Sequence, residues 1–277
     1  MNNIIKNTLT AVALSAIAAG AAGAAGAAHA AGTLAKDTFK VGTDLTYPPY
    51  NYFDSNNKPA GFDVELMTAL AKAANHKVEF LDTRFENLII GARGGQFDVI
   101  ASTLYVKAER AKQIDYIPYM KTGVSIAVSS ARGLSFKKPE DLCGYKVGSI
   151  KGGAWIENLM ALNQTVCKGK PIDSREFPSS PEATQALLSG GVDAQMEDSA
   201  VLQDAVGKLR GKMKISSTEN HYPVVVGLGV RKGNEELAAT IRKAMATLEK
   251  NGTYDALLKK YNVSKPTEAE FKAALAK

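Results

Sequence analysis

The chain has 277 residues, a formal charge of +6 from 34 Lys and Arg against 28 Asp and Glu, and 45% hydrophobic residues. That length suffices for a large buried core, in one big domain or two lobes. The basic residues are scattered and interleaved with acids, which excludes a nucleic-acid stripe, and no HExxH or clustered metal ligands occur, so no metal or cofactor is expected.

The first thirty residues read as a signal peptide, residues 1–30. Lys6 supplies the positive start, Leu9 to Ala22 is apolar and uncharged, and Ala28-His29-Ala30 has the small-x-small pattern of a cleavage site. The stretch is too short and too rich in Ala and Gly for a membrane anchor. No cysteine lies beside it, so a lipobox is absent and a free, soluble periplasmic protein is expected rather than a lipid-anchored one. In an exported chain the two cysteines, Cys143 and Cys167, point to a disulfide, the other reading being two buried thiols.

Phe39, Val41 and Thr43 alternate as a strand that ends at Asp44, and a proline-stiffened loop, Leu45 to Pro59, follows with Tyr47, Tyr50, Tyr52 and Phe53. Rings crowded into a loop either pack beneath it or wall a ligand; packing is expected for most of them. Phe62, Leu66, Met67, Leu70, Ala71 and Ala74 then recur on one helical face, with Asp63 and Glu65 in the first turn, where acids suit the helix dipole. Val78 to Leu81 is the second strand, Phe85 to Ala92 a short helix ended by Gly94-Gly95. Phe97 to Ala101 reads as a buried strand running into Ser102 and Thr103, then a turn and a helix carrying Arg110; hydroxyls and backbone N–H groups facing an arginine fork can hold a carboxylate.

The stretch Ile114 to Val128 predicts a strand in its last part. A second unit begins near Ser135 and repeats the first: Lys146-Val147-Gly148-Ser149 echoes Lys40-Val41-Gly42-Thr43, and residues 182–196 echo residues 86–100, each a helix, a Gly-Gly pair and a strand opening on an apolar residue and Asp. A helix over Ser199 to Val206, strands near Met213 to Ser216 and Val224 to Val230, and two helices split by Asn251-Gly252 complete the chain. Strands alternating with helices imply an α/β class with parallel pairing and ligands beyond the carboxyl ends of strands. Two similar units imply two lobes and a cleft.

The series VGTDLTYPPY, GFDVEL, FDVIAS, a downstream Glu-Arg, VDAQMED and NGTYDALLKKY, spread over residues 38–262, resembles the periplasmic solute-binding proteins that deliver amino acids to ABC transporters (bacterial solute-binding protein family 3). The resemblance implies a two-lobed periplasmic-binding-protein fold of type II, each lobe a mixed sheet flanked by helices, with a two-strand hinge. Lobe 1 would be residues 31–127 plus 222–277 and lobe 2 residues 128–221. Arg110 would pair with the ligand carboxylate, helped by Ser102, Thr103, Leu104 and Tyr105, and Asp198 would take the ammonium. Asp44 and Tyr47 would line the side-chain end, Phe85 would pack on the ligand, and the turn at Gly153, Ala154 and Trp155 would add N–H groups.

Taken alone, Arg110 reads as an exposed helix arginine, Asp198 as the N-cap of the helix after it, and Trp155 as core. The chain departs from the family pattern at Tyr105, where a small hydroxyl residue is usual, at Lys107, where a threonine is frequent, and at Gly152-Gly153-Ala154, where Gly-Thr-Thr or Gly-Ser-Thr is usual. The implied function is a monomeric, non-catalytic binder that hands a polar or cationic amino acid to a membrane permease. The alternative is an exported dehydratase of prephenate or arogenate on the same fold, although no nucleophile and base stand at motif spacing.

Overall fold

The computed structural model describes residues 32–276, so the signal-peptide reading lies outside the described residues. Strand β1 (Thr38–Thr43) opens the fold. The loop expected over residues 45–59 contains three short strands, β2 (Thr46–Tyr47), β3 (Asn51–Phe53) and β4 (Pro59–Ala60), paired as a small antiparallel sheet. Tyr47 and Tyr50 are buried under it while Phe53 stays 41% exposed. Helix α1 (Phe62–Ala73) buries the expected face through Phe62, Leu66, Met67, Leu70 and Ala71, each worth roughly 1.5–3 kcal/mol for the large side chains. Its start needs Gly61, whose φ of 112° suits only glycine and whose Cβ would stand 2.3 Å from the Tyr50 carbonyl oxygen.

Strand β5 (Lys77–Asp82), helix α2 (Leu88–Arg93), strand β6 (Val99–Ile100) and the short helix α3 (Ala108–Ala111) follow in the expected order. Strand β7 runs from Ile114 to Ser129, much longer than predicted. It is buried on both faces, so it lacks the period-two pattern that betrays a strand, and Pro118 interrupts it where the pairing with its neighbour shifts register. The second unit holds β8 (Lys146–Ile150), α4 (Ile156–Gln164), β9 (Asp173–Phe177), α5 (Ser180–Ser189), β10 (Ala194–Asp198), α6 (Ser199–Lys208) and β11 (Met213–Ile215). Strand β12 (His221–Arg231) and helices α7 (Glu235–Lys250), α8 (Thr253–Lys260) and α9 (Glu268–Leu275) close the chain. Among the described residues no helix is long and apolar enough to cross a membrane.

One curled mixed sheet carries the order β5-β1-β6-β12-β7-β10-β8-β9, with β11 also on β7. Its ends are two parallel arms, β5-β1-β6 and β9-β8-β10, joined by the antiparallel pair β12 and β7. The sequence repeat is the chemistry of these arms. Asp98 receives the Lys40 N–H at 2.9 Å and returns its own N–H to the Lys40 carbonyl, and Asp193 does the same with Lys146 at 2.9 Å. Each Asp thus ties the two parallel strands of its arm at their starts.

The turn after β6 is fixed from α1. Thr103 has a φ of 49°, costly for a β-branched residue, and the buried Asp63 holds it there by accepting its N–H at 2.7 Å and its hydroxyl at 3.1 Å. Asn51 and Tyr119 also donate to that carboxylate, each at 2.5 Å. Asp63 is therefore more than a dipole partner. Replacing it with Ala strands these donors in the core, and the expected result is a loss of about 3 kcal/mol in urea unfolding.

Cys143 and Cys167 form a disulfide that joins the approach to β8 with the end of α4 across 24 residues of sequence. Changing both to Ser is expected to cost about 3 kcal/mol, and reductant should lower the unfolding midpoint of the wild-type protein alone.

Candidate ligand-binding site

The carboxyl ends of β1 and β6 from one arm meet the ends of β8 and β10 from the other. Tyr47, Phe85, Thr103, Tyr105, Arg110, Ala154 and Trp155 line one cavity there together with Ile150. Its volume is about 10 Å³, room for one water molecule at most.

Hydrogen bonds to two neighbouring acids close this junction. The Tyr105 hydroxyl donates to Asp198 Oδ2 at 2.8 Å, and the Thr122 hydroxyl on β7 donates to the same oxygen at 2.8 Å. Asp198 Oδ1 accepts the Ala200 N–H at 2.9 Å, so Asp198 is also the N-cap of α6. Beside it, the Tyr47 hydroxyl donates to Glu197 Oε1 at 2.8 Å and the Ile150 N–H to Oε2 at 3.2 Å. Both acids are fully buried, and none of these partners carries a charge. Burial pushes the Glu197 carboxyl up to about 8 and raises that of Asp198, against the donors that favour its ionised form.

Arg110 is half-buried and spans the same junction. Its Nη1 donates to the Tyr105 carbonyl at 3.0 Å and its Nη2 to the Gly152 carbonyl at 2.9 Å, while its guanidinium lies 5.5 Å from the centre of the Phe85 ring. Burial lowers its pKa, and these partners too are uncharged. Gly152 presents its carbonyl from a left-handed turn, φ 79°. Two ion pairs flank the junction, Lys151 with Glu86 at 2.5 Å and Lys107 with Glu157. Being partly exposed, they contribute little.

Of the other predicted residues, Asp44, Ser102, Leu104 and Gly153 stand behind the cavity wall. Asp44 accepts the Thr46 hydroxyl at 2.6 Å and the Phe85 N–H at 2.8 Å and pairs with Arg84 at 2.9 Å, so it positions Phe85. Ser102 accepts the Asp44 N–H at 3.0 Å. Leu104 packs in a cluster with Leu88, Phe97 and Ile100, and the Gly153 N–H is spent on Ile150. Trp155 is buried with its indole N–H on Ser149 at 3.1 Å and its ring edge-on to Tyr105. Glu197, Thr122 and Ile150 were not predicted as site residues. The signal for Glu197 was its place beside Asp198 at a strand end; Thr122 and Ile150 carry no such signal.

A second cavity of about 530 Å³ adjoins the first and shares Tyr105, Ala154 and Trp155 with it. Lys107, Tyr222 and Val224 are among the residues on its far walls.

The sequence model of bacterial extracellular solute-binding proteins, family 3, matches residues 39–264. The chain is similar to the L-cystine-binding protein TcyJ of Escherichia coli K12, 29% identical over 227 residues that cover 82% of this chain and 83% of that protein. Among solved structures it is similar to an ancestral arginine-binding protein bound to arginine, 35% identical with a TM-score of 0.76 over 82% of this chain and 98% of that one. It is also similar to the ancestral amino acid-binding protein AncCDT-1, a precursor of cyclohexadienyl dehydratase, at 31% identity and a TM-score of 0.70 over 81% and 95% of the two chains. A mixed sheet in two repeated arms, with a half-buried cation and buried acids at their junction, agrees with the sequence match, and the chain belongs to family 3 of the bacterial extracellular solute-binding proteins.

Proposed function

We propose that the protein is the solute-binding component of an ABC importer, which binds an amino acid between two lobes and hands it to a membrane permease. The lobes are residues 31–127 with 222–277 and residues 128–221, hinged on β7 and β12. The protein acts in the periplasm as a monomer, after loss of residues 1–30.

The observation that carries this reading is the pair of half-buried Arg110 and fully buried Asp198, groups of opposite sign whose own hydrogen-bond partners are all neutral. Buried charges are costly unless a counter-charge arrives, and a zwitterionic amino acid brings both. The Arg110 fork takes the carboxylate and Asp198 the ammonium. Glu197, protonated near pH 7, leaves the charge at that end to Asp198. The names of the similar proteins, an L-cystine binder and an arginine-bound ancestor, favour a polar or cationic ligand. Phe85, Tyr47 and Trp155 supply the ring surfaces such side chains use.

A second reading has one observation behind it. A buried acid held protonated near neutrality is what a dehydratase needs, and Glu197 is one; AncCDT-1 is a precursor of such an enzyme. Arogenate or prephenate incubated with the protein is expected to stay unchanged. Product formation in the wild type but not in Glu197→Gln would establish the enzyme instead.

A thermal-shift screen over the amino acids, with L-cystine and L-arginine first, is expected to give one clear stabiliser, since a ligand at a hundred times its Kd adds about 2.7 kcal/mol. Arg110→Ala should abolish that shift while the unliganded protein still melts cooperatively; an unchanged shift would remove the carboxylate assignment.

The raised carboxyl of Glu197 also sets a pH dependence. Its stabilising share is fully present below the ordinary value of 4.5 and is lost as pH rises from there through about 8, because the unfolded chain gives up this proton while the folded protein still holds it. Asp63, pushed up to about 6, acts in the same direction. Urea midpoints should therefore be higher at about pH 5 than at about pH 9, and Glu197→Gln should flatten the upper part of the curve.

A further inference from the structure

Tyr105 touches both groups that the proposed function assigns to the ligand. Its backbone carbonyl takes Arg110 Nη1 at 3.0 Å, and its hydroxyl reaches Asp198 Oδ2 at 2.8 Å. One residue thus spans the cation and the anion as a bound amino acid would, offering an oxygen to the first and a donor to the second. Tyr47 repeats half of this device on Glu197. With both rings buried, the cavity between them holds about 10 Å³, too little for the five heavy atoms of even the smallest amino acid.

We infer that Tyr105 is an internal surrogate for the ligand, which latches the empty protein shut and sets which ligands can open it. The inference rests on the amino-acid reading of the same site. In the latched state the Tyr105 hydroxyl reaches Asp198 from the opposite arm and itself supplies the donor that holds the junction closed. A ligand enters only when the Tyr105 side chain leaves. The space to receive it exists, because Tyr105 also forms a wall of the adjoining cavity of about 530 Å³.

Two consequences follow from the chemistry. The apparent affinity of any ligand is lowered by the small fraction of molecules in which Tyr105 has moved aside. The incoming group must also beat a neutral O–H for the Asp198 carboxylate. An ammonium does so, since charge-assisted hydrogen bonds are roughly twice as strong as neutral ones, whereas a deaminated acid has nothing to offer Asp198. The class admitted is therefore carboxylates that carry an ammonium.

The test uses the full exported chain as wild type, Tyr105→Phe and Tyr105→Ser, with L-arginine and its deaminated 2-oxo analogue as probes in calorimetry, and small-angle scattering of each unliganded protein. Phe keeps the ring and removes only the hydroxyl. The expected results are a larger unliganded radius of gyration for both variants, and for Tyr105→Phe an affinity for L-arginine raised about tenfold, the worth of a lost competing hydrogen bond to a charged group. The 2-oxo analogue should not bind the wild type. An unliganded radius in Tyr105→Phe equal to wild type overturns the latch, as does an affinity that falls. If neither wild type nor variants bind L-arginine or any other amino acid, the amino-acid reading fails, and the unliganded radii still decide whether Tyr105 holds the arms together. Tyr105→Ser supplies the same comparison should the Phe variant fail to fold.

Discussion

The structure depends on one antiparallel pairing. Strands β7 and β12 run side by side from His221 opposite Val124 to Arg231 opposite Ile114, and both parallel arms of the sheet are hung from them. β6 pairs with β12 on one side and β10 with β7 on the other, so this ladder fixes where the carboxyl ends of the two arms point. Asp198 lies opposite Val124 in that register and Thr122 two residues on, which is why a hydroxyl from β7 reaches the Asp198 carboxylate. A slip of one residue would turn Asp198 and Glu197 to the opposite faces of the sheet.

On that frame the chain places Arg110 and Asp198, whose hydrogen-bond partners are neutral, with the Glu157 carboxylate acting on Arg110 only through space. Arg110 is held by two carbonyls and a ring face, and Asp198 by two hydroxyls and a helix N–H. Such groups weaken the fold relative to an apolar junction of the same shape, which is the usual mark of a site kept for binding. Elsewhere the acids inside the fold are fully used. Asp63 holds the strained Thr103, Asp44 holds the turn into Phe85, and Asp98 and Asp193 stitch their arms.

The elements with local signals were legible. Helix α1 has its apolar face and its Gly61 start, α5 and the segment Leu88–Arg93 end in Gly-Gly, and the Asp that opens each third strand revealed a repeat before any pairing was known. The disulfide was legible from compartment and count. The strands that were missed lack a local signal, each for its own reason. β7 is buried on both faces and gives no alternation, β9 is a charged edge strand, and the short strands β2 to β4 exist only because they pair with one another.

For the site, the sequence by itself determined which residue types stand at the strand ends: the arginine after β6, the acids that close β10 and the aromatic rings of the first loop. It could do so because motif and spacing are local properties. Only the tertiary structure decided which of these groups meet. Asp44 turned to Arg84 and the Phe85 N–H, Tyr47 met Glu197, and Tyr105 bridged Arg110 to Asp198. Such partners lie from five residues to more than ninety apart, and a hydrogen bond between groups that far apart in the chain is set by how two arms of a sheet close, which no single stretch of sequence encodes.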